Sequence, residues 1–170
     1  MSHPHILLVR RFTLNVMTAF AIVAGQPSVG FAQHQHDALL GTWKFLPEKS
    51  TFVPGPDPYR SMTLNFTVTE AGLKNEAKGV GVDGRPVHAT FMIVTDGKFY
   101  PVTGLSAFDS SSYVPVSDRT TVYVRRKHGS SVIAGSRMLS SDGETLFFRE
   151  KAVDSQGRET GRAVLVFEKE

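Results

Sequence analysis

The sequence predicts an all-β protein, an up-and-down antiparallel β-barrel of about 8–10 strands. From about residue 41 onward, segments in which apolar and polar residues alternate follow one another. Turn dipeptides such as Asp83-Gly84, Asp96-Gly97 and Asp142-Gly143 separate these segments at near-regular spacing, as in a chain of hairpins. Sequential strands of this kind close on themselves to remove exposed edges, and no long helical pattern competes. A two-sheet sandwich is the alternative architecture.

The segment 1–32 is predicted to be a signal peptide. The pair Arg10-Arg11 is followed by an apolar run over 12–25 and by small residues around a cleavage site near Ala32. The run is shorter than the roughly 20 residues that span a bilayer. A buried N-terminal helix is the alternative. We therefore expect a periplasmic or secreted protein.

The rest of the chain is expected to form one domain. Residues 33–38 are predicted to be a flexible mature N-terminus, and residues 39–170 a single β-barrel domain. The chain has 19 Lys and Arg against 16 Asp and Glu. Without the signal peptide the net charge falls to about +1, so no strongly basic face and no nucleic-acid partner are predicted. The chain has no cysteine, so we expect no disulfide and no lipid-modified membrane anchor.

The cleanest alternating segment supplies the candidate interior of the barrel. Residues 62, 64, 66 and 68 are apolar and interleave with polar residues, which places them on one face of a strand. A barrel of this size is either filled by its own side chains or holds one small ligand. The candidate ligand-binding residues are Met62, Leu64, Phe66, Val68, Phe91, Tyr123 and Phe148.

One long connection interrupts the short turns. Residues 53–59 contain three prolines, which stiffen the segment and leave it little conformational entropy to lose. In a barrel this loop would lie between the first two strands. Two interpretations remain open: a lid over one mouth of the barrel, or a rigid connector packed on its wall.

The polar motifs predict no catalytic constellation, no enzyme and no cofactor. His34 and His36 are weak candidates for a copper or zinc site, and otherwise no metal site is predicted. Glu150, flanked by two basic residues, favours a cross-strand ion pair over acid–base chemistry. The basic run 125–128 ends a strand and is typical of a solvated hairpin end. A contact with an anionic headgroup or polysaccharide is the more specific interpretation.

The opening of the barrel segment carries a family resemblance. Gly41-Thr42-Trp43, within Leu39 to Lys44, resembles the first strand of lipocalins, and the segment 96–104 is similar to secreted bacterial lipocalin-like proteins. The resemblance implies a calycin-type barrel that Trp43 plugs at its closed end, with Lys169 in the place of the lipocalin arginine. It implies a small apolar or amphipathic ligand. A filled barrel acting as a protein-interaction or inhibitor module in the cell envelope is the alternative.

Overall fold

The computed structural model describes residues 37–170, which form a closed antiparallel β-barrel with almost no helix. The predicted barrel is therefore confirmed, and the sandwich alternative is wrong. Within residues 37–170, no helix has the length and hydropathy needed to cross a membrane. The strands are β1 (Gly41–Phe45), β2 (Thr51–Val53), β3 (Tyr59–Thr69), β4 (Gly72–Gly81), β5 (Pro86–Ile93), β6 (Tyr100–Thr103), β7 (Ser110–Ser117), β8 (Thr120–Lys127), β9 (Ser130–Leu139), β10 (Thr145–Val153) and β11 (Glu159–Lys169).

Ten strands, β1 and β3 to β11, close the barrel. Trp43 in β1 shows how the ends meet, because it lies opposite Leu64 of β3 on one side and opposite Lys169 of β11 on the other. The first and last strands of the barrel are therefore hydrogen-bonded to each other, and closure removes the edge that an open sheet would expose.

The short strand β2 pairs with the first half of β11, on the edge that β1 occupies further along. A 3₁₀ turn at Pro47–Lys49 separates β1 from β2. Ser50 fixes this break, because its hydroxyl donates to the Leu46 carbonyl and accepts from the Val166 amide. The chain then continues into residues 53–59, called the proline loop below, at one end of the barrel.

Strand β3 has the predicted alternation over most of its length. Met62, Leu64 and Phe66 are buried in the core. Val68 was predicted on the same inward face, and this is wrong, because its side chain is 56% exposed. The pairing of β3 with β1 ends at Phe66. Beyond that point β3 lacks a neighbour on one side, so Val68 is not covered.

Most of the predicted turns are tight hairpins between successive strands. Gly84, Gly97, Gly143 and Gly157 adopt φ values of 81°, 78°, 79° and 77°. A residue with a Cβ rarely adopts this left-handed conformation, which explains why each turn carries glycine there. The aspartates before them accept backbone hydrogen bonds, as Asp154 does from Gln156 and Arg158.

The barrel divides into two halves along its axis. The closed half contains the hairpins 69–72 and 139–145 and is filled by large buried side chains, among them Phe66, Leu73 and Leu146. The open half contains the opposite hairpins, such as 81–86, and the proline loop. Residues 37–39 are helical and bury Leu39 at the closed end. Residues 37 and 38, part of the segment 33–38 that was predicted to be flexible, lie in this helical turn.

Candidate functional site

The open half of the barrel encloses a cavity of about 470 Å³. Its walls come from the inner faces of the strands, and the proline loop and the segment between β6 and β7 border it as well. Small residues make room for it on three strands: Ala77 on β4, Ala89 on β5 and Ala163 on β11. A volume of this size lies in the range of small-molecule sites, which is about 300–1,000 Å³.

The structure separates the seven candidate ligand-binding residues into three groups. Met62, Leu64, Phe91 and Phe148 line the cavity. Phe66 and Tyr123 are buried in the core beneath it, and they are not among the lining residues. Val68 is exposed outside the core, as described above. The alternation therefore identifies the inward face, while the position along the strand decides which side chains reach the cavity.

Trp43 lies in the floor of the closed half. Its indole is fully buried, and Nε1 donates a hydrogen bond of 2.8 Å to the Leu39 carbonyl. The ammonium of Lys169 lies 5.4 Å from the centre of the indole, within the range of a cation–π contact. The Lys169 ammonium also lies 3.4 Å from the Ala38 carbonyl, to which it donates. Lysine thus holds the N-terminal turn against the tryptophan without the planar stacking of a guanidinium.

A buried polar cluster forms one wall of the cavity. Glu150 of β10 accepts hydrogen bonds at Oε1 from the Arg125 guanidinium at 2.6 Å and from the Tyr123 hydroxyl at 2.7 Å. The side chains of Arg125 and Glu150 are only 12% and 14% exposed. Both residues line the cavity, whereas Tyr123 is buried and does not belong to the lining.

Burial and the ion pair together set the charges of Arg125 and Tyr123. Burial alone would lower the pKa of Arg125, but the nearby Glu150 carboxylate raises it above its ordinary value. Burial raises the pKa of Tyr123 well above its ordinary value, and the Glu150 charge raises it further. Near neutral pH, the cluster therefore contains a charged arginine and an uncharged tyrosine.

Gly135 makes the cluster possible. It lies between Tyr123 and Glu150 in the register of β8, β9 and β10. A Cβ at this position would lie 2.7 Å from the Tyr123 ring and 2.8 Å from its hydroxyl oxygen. Only a residue without a side chain lets the tyrosine cross the intervening strand and reach the carboxylate.

The position of Arg125 corrects the prediction for the basic run 125–128. Its guanidinium carbon lies 4.6 Å from the centre of the Phe108 ring and 4.7 Å from that of Tyr123. Arg125 is thus inside the barrel, and a solvated hairpin end is wrong for this residue. His128 at the turn is exposed. The predicted ion pair of Glu150 exists, but its partner is not on a neighbouring strand. It joins β10 to β8 across the intervening strand β9.

Asn75 is the second polar group of the cavity wall. Its side chain is 6% exposed, and its Oδ1 is buried without a hydrogen-bond partner in the described part of the chain. Arg125 Nε is likewise buried and has no partner among residues 37–170. Phe91 is adjacent to both side chains. It lies opposite Asn75 in the register, and the centre of its ring is 5.6 Å from the Arg125 guanidinium carbon.

A second buried arginine lies in the closed half. Arg137 is 2% exposed and donates from Nη2 to the Thr121 hydroxyl at 3.2 Å. Its Nη1 has no hydrogen-bond partner within residues 37–170. Burial lowers the pKa of Arg137 to about 10. The two arginines differ in one respect that matters: Arg125 has a carboxylate partner, and no ion pair is found for Arg137 in the described chain.

The proline loop borders the cavity at its mouth. Pro54, Pro56 and Pro58 contribute to the lining and remain exposed on their other side. Asp57 fixes the end of the loop by accepting a hydrogen bond of 2.7 Å from the Tyr59 amide. The loop also begins as a strand, because Phe52 and Val53 pair with β11. The segment therefore has one feature of each predicted interpretation. Its start is paired with the wall, as in a rigid connector, and its prolines lie at the mouth, where a lid would be.

No group of three or more His, Asp or Glu side chains within residues 37–170 is arranged to hold a metal ion. His34 and His36 lie outside the described residues. His88 is exposed on β5 and does not line the cavity.

Comparison with known proteins identifies the fold. No family model matches the chain, and no curated protein does. A solved protein of unknown function from the DUF3598 family of Nostoc punctiforme is 15% identical, with a TM-score of 0.52. The match covers 79% of this chain and 48% of that one, so this chain spans about half of its length.

Two smaller barrels show weaker similarity. Zebrafish ileal bile acid-binding protein, complexed with cholic acid, is 11% identical over 78% of this chain and 99% of its own, with a TM-score of 0.44. The redesigned barrel mFAP1, bound to DFHBI, is 15% identical over 80% and 99%, with a TM-score of 0.43. At these low identities and TM-scores, the likeness extends no further than the barrel fold.

Proposed function

We propose that this barrel binds one small amphipathic molecule in the cavity of its open half. The observation that carries the proposal is a cavity of about 470 Å³ whose wall is mostly apolar and contains a buried ion pair. Apolar lining with a few fixed polar groups is the usual composition of a small-molecule site. The alternative, a filled barrel that acts through its surface, requires an interior without such a cavity.

The chemistry of the lining defines the two ends of the ligand. Met62, Leu64 and Phe148 offer an apolar surface that favours burial of an alkyl chain or a ring system. Arg125, Glu150 and Asn75 offer hydrogen-bonding groups on the wall. A molecule without a polar group would leave Asn75 Oδ1 and Arg125 Nε unpaired, which has a cost in a desolvated site. An amphipathic ligand matches both parts.

Binding of an uncharged fluorescent probe tests the proposal. N-phenyl-1-naphthylamine should bind the protein with enhanced fluorescence and a stoichiometry of one. Ala163→Phe adds a ring beside the cavity and should abolish this binding. Ala134→Phe is the matched control, because Ala134 is an exposed residue of β9, and it should bind as the wild type does. Equal binding by both variants would contradict a site inside the barrel.

We also infer that the protein acts outside the cytoplasm, in the periplasm or the medium. The arginine pair, the apolar run and the small residues near Ala32 support export. Mass spectrometry of protein recovered from the periplasmic and extracellular fractions should find a mature N-terminus near residue 33. Recovery from the cytoplasm with the N-terminal 32 residues intact would contradict export.

A further inference from the structure

We infer that the ligand carries an uncharged hydroxyl group, as an alcohol or a phenol does, and that the cavity discriminates against carboxylates. This inference rests on the proposed function and specifies its ligand class. It starts from the charges of the cavity wall. The lining contains three charged side chains. Arg125 and Glu150 form the buried ion pair, 2.6 Å apart, while Arg162 is exposed at the mouth. The buried part of the wall therefore has no net charge to offer an ionic ligand.

The ion pair also uses the groups that an ionic ligand would need. Nη1 of Arg125 already donates to the Glu150 carboxylate. A ligand carboxylate brought to Arg125 would lie near the Glu150 charge, and like charges in a site of low dielectric repel strongly. An ammonium group would meet the same difficulty at the arginine. An uncharged polar group avoids both repulsions.

Two buried atoms of the wall side chains would gain a hydrogen bond if they turned toward such a group. Asn75 Oδ1 accepts hydrogen bonds and Arg125 Nε donates them, and both are buried without a partner in the described chain. The two side chains lie beside one ring. Phe91 is opposite Asn75 in the register, and the centre of its ring lies 5.6 Å from the Arg125 guanidinium carbon. A polar group placed against Phe91 therefore lies beside both side chains, the one with the unpaired acceptor and the one with the unpaired donor.

A hydroxyl group is the simplest group that meets this requirement, because it donates one hydrogen bond and accepts others. A carboxylate accepts hydrogen bonds and cannot donate to Asn75. An ammonium group donates and cannot accept from Arg125. A hydrocarbon does neither and leaves both wall atoms unpaired. The four chemistries thus differ in the number of wall atoms they satisfy.

A matched series of ten-carbon ligands tests the inference. Decan-1-ol, decanoate, decylamine and decane are allowed to compete with N-phenyl-1-naphthylamine on the wild-type protein at pH 7.5. Decan-1-ol should bind about tenfold more tightly than decanoate or decylamine, and more tightly than decane. Decanoate or decylamine affinity equal to or above that of decan-1-ol overturns the inference, while probe binding itself would still support the proposed function. Failure of the probe and of all four ligands to bind would remove both.

Two variants test the assigned atoms. Glu150→Gln keeps a hydrogen-bond acceptor for Arg125 and Tyr123 but removes the negative charge, so decanoate affinity should rise about tenfold relative to that of decan-1-ol. Asn75→Ala should weaken decan-1-ol about fivefold and leave decane unchanged. Val87→Ala, an apolar change in the same lining, is the control and should affect the alcohol and the alkane equally. An unchanged alcohol-to-acid ratio in Glu150→Gln would contradict the role of the charge.

Discussion

The two halves of this barrel are built from the same strands but differ in how they are filled. On β4 the inward residue is Leu73 in the closed half and Ala77 in the open half. The same change occurs on β5, from Ile93 to Ala89. Each strand thus loses side-chain volume toward the open end, and the missing volume is the cavity. The size of the inward residues, and not the strand pattern, determines where the cavity lies.

The first way to test this comparison is a matched pair of leucines. Leu146→Ala in the closed half should lower the free energy of unfolding by about 4 kcal/mol, because the fully packed site cannot collapse around the deletion. Leu64→Ala should cost about 2 kcal/mol, because Leu64 already borders the cavity. Urea denaturation measures both values. Equal costs would contradict the difference in packing between the halves.

The second test concerns the ion pair of the open half. Arg125→Met leaves the Glu150 carboxylate without its partner, which should cost about 2–3 kcal/mol at this nearly buried site. The double variant Arg125→Met/Glu150→Leu should recover most of that loss, because no unpaired charge remains. Chemical denaturation of the two single variants, Arg125→Met and Glu150→Leu, and of the double variant gives the coupling energy. Additive losses would show that the two side chains do not act as a pair.

The third test concerns the unpaired arginine of the closed half. Arg137→Met should raise the stability at pH 7 by about 2 kcal/mol, because it removes the cost of burying a charge without an ion-pair partner. The loss of one hydrogen bond to Thr121 offsets part of this gain. A clear loss of stability in this variant would contradict our account of Arg137 and indicate that the guanidinium has a stabilising role.

The same residue predicts a dependence on pH. The pKa of Arg137 is about 10 in the folded protein, well below the ordinary value that the unfolded chain retains. Between these values the unfolded chain holds the proton more tightly, so the contribution of this group to stability rises as the pH rises through about 10. Relative to Arg137→Met, the wild type should gain about 1 kcal/mol from pH 9 to pH 11. A constant difference between the two proteins would contradict the lowered pKa.

The sequence predicts the architecture well because the hairpin turns and the alternation are local patterns. Met62, Leu64 and Phe66 follow from the period of a strand. Val68 fails because the end of the neighbouring strand β1 is a property of the closed barrel. The site is less predictable, since a run of basic residues normally indicates a solvated surface. The available signal for the buried pair was the phase of β10, because Glu150 shares the inward face with Phe148 and Ala152.

Methyl NMR gives the most direct test of the central claim, that a ligand enters one half of the barrel and not the other. On titration with decan-1-ol, the methyl groups of Leu64, Ala89 and Ile133, which line the cavity, should shift strongly. Those of Leu39, Leu73 and Leu146, buried in the closed half, should shift little. Shifts confined to exposed residues such as Val114 and Val116, or shared equally by the two halves, would contradict the account.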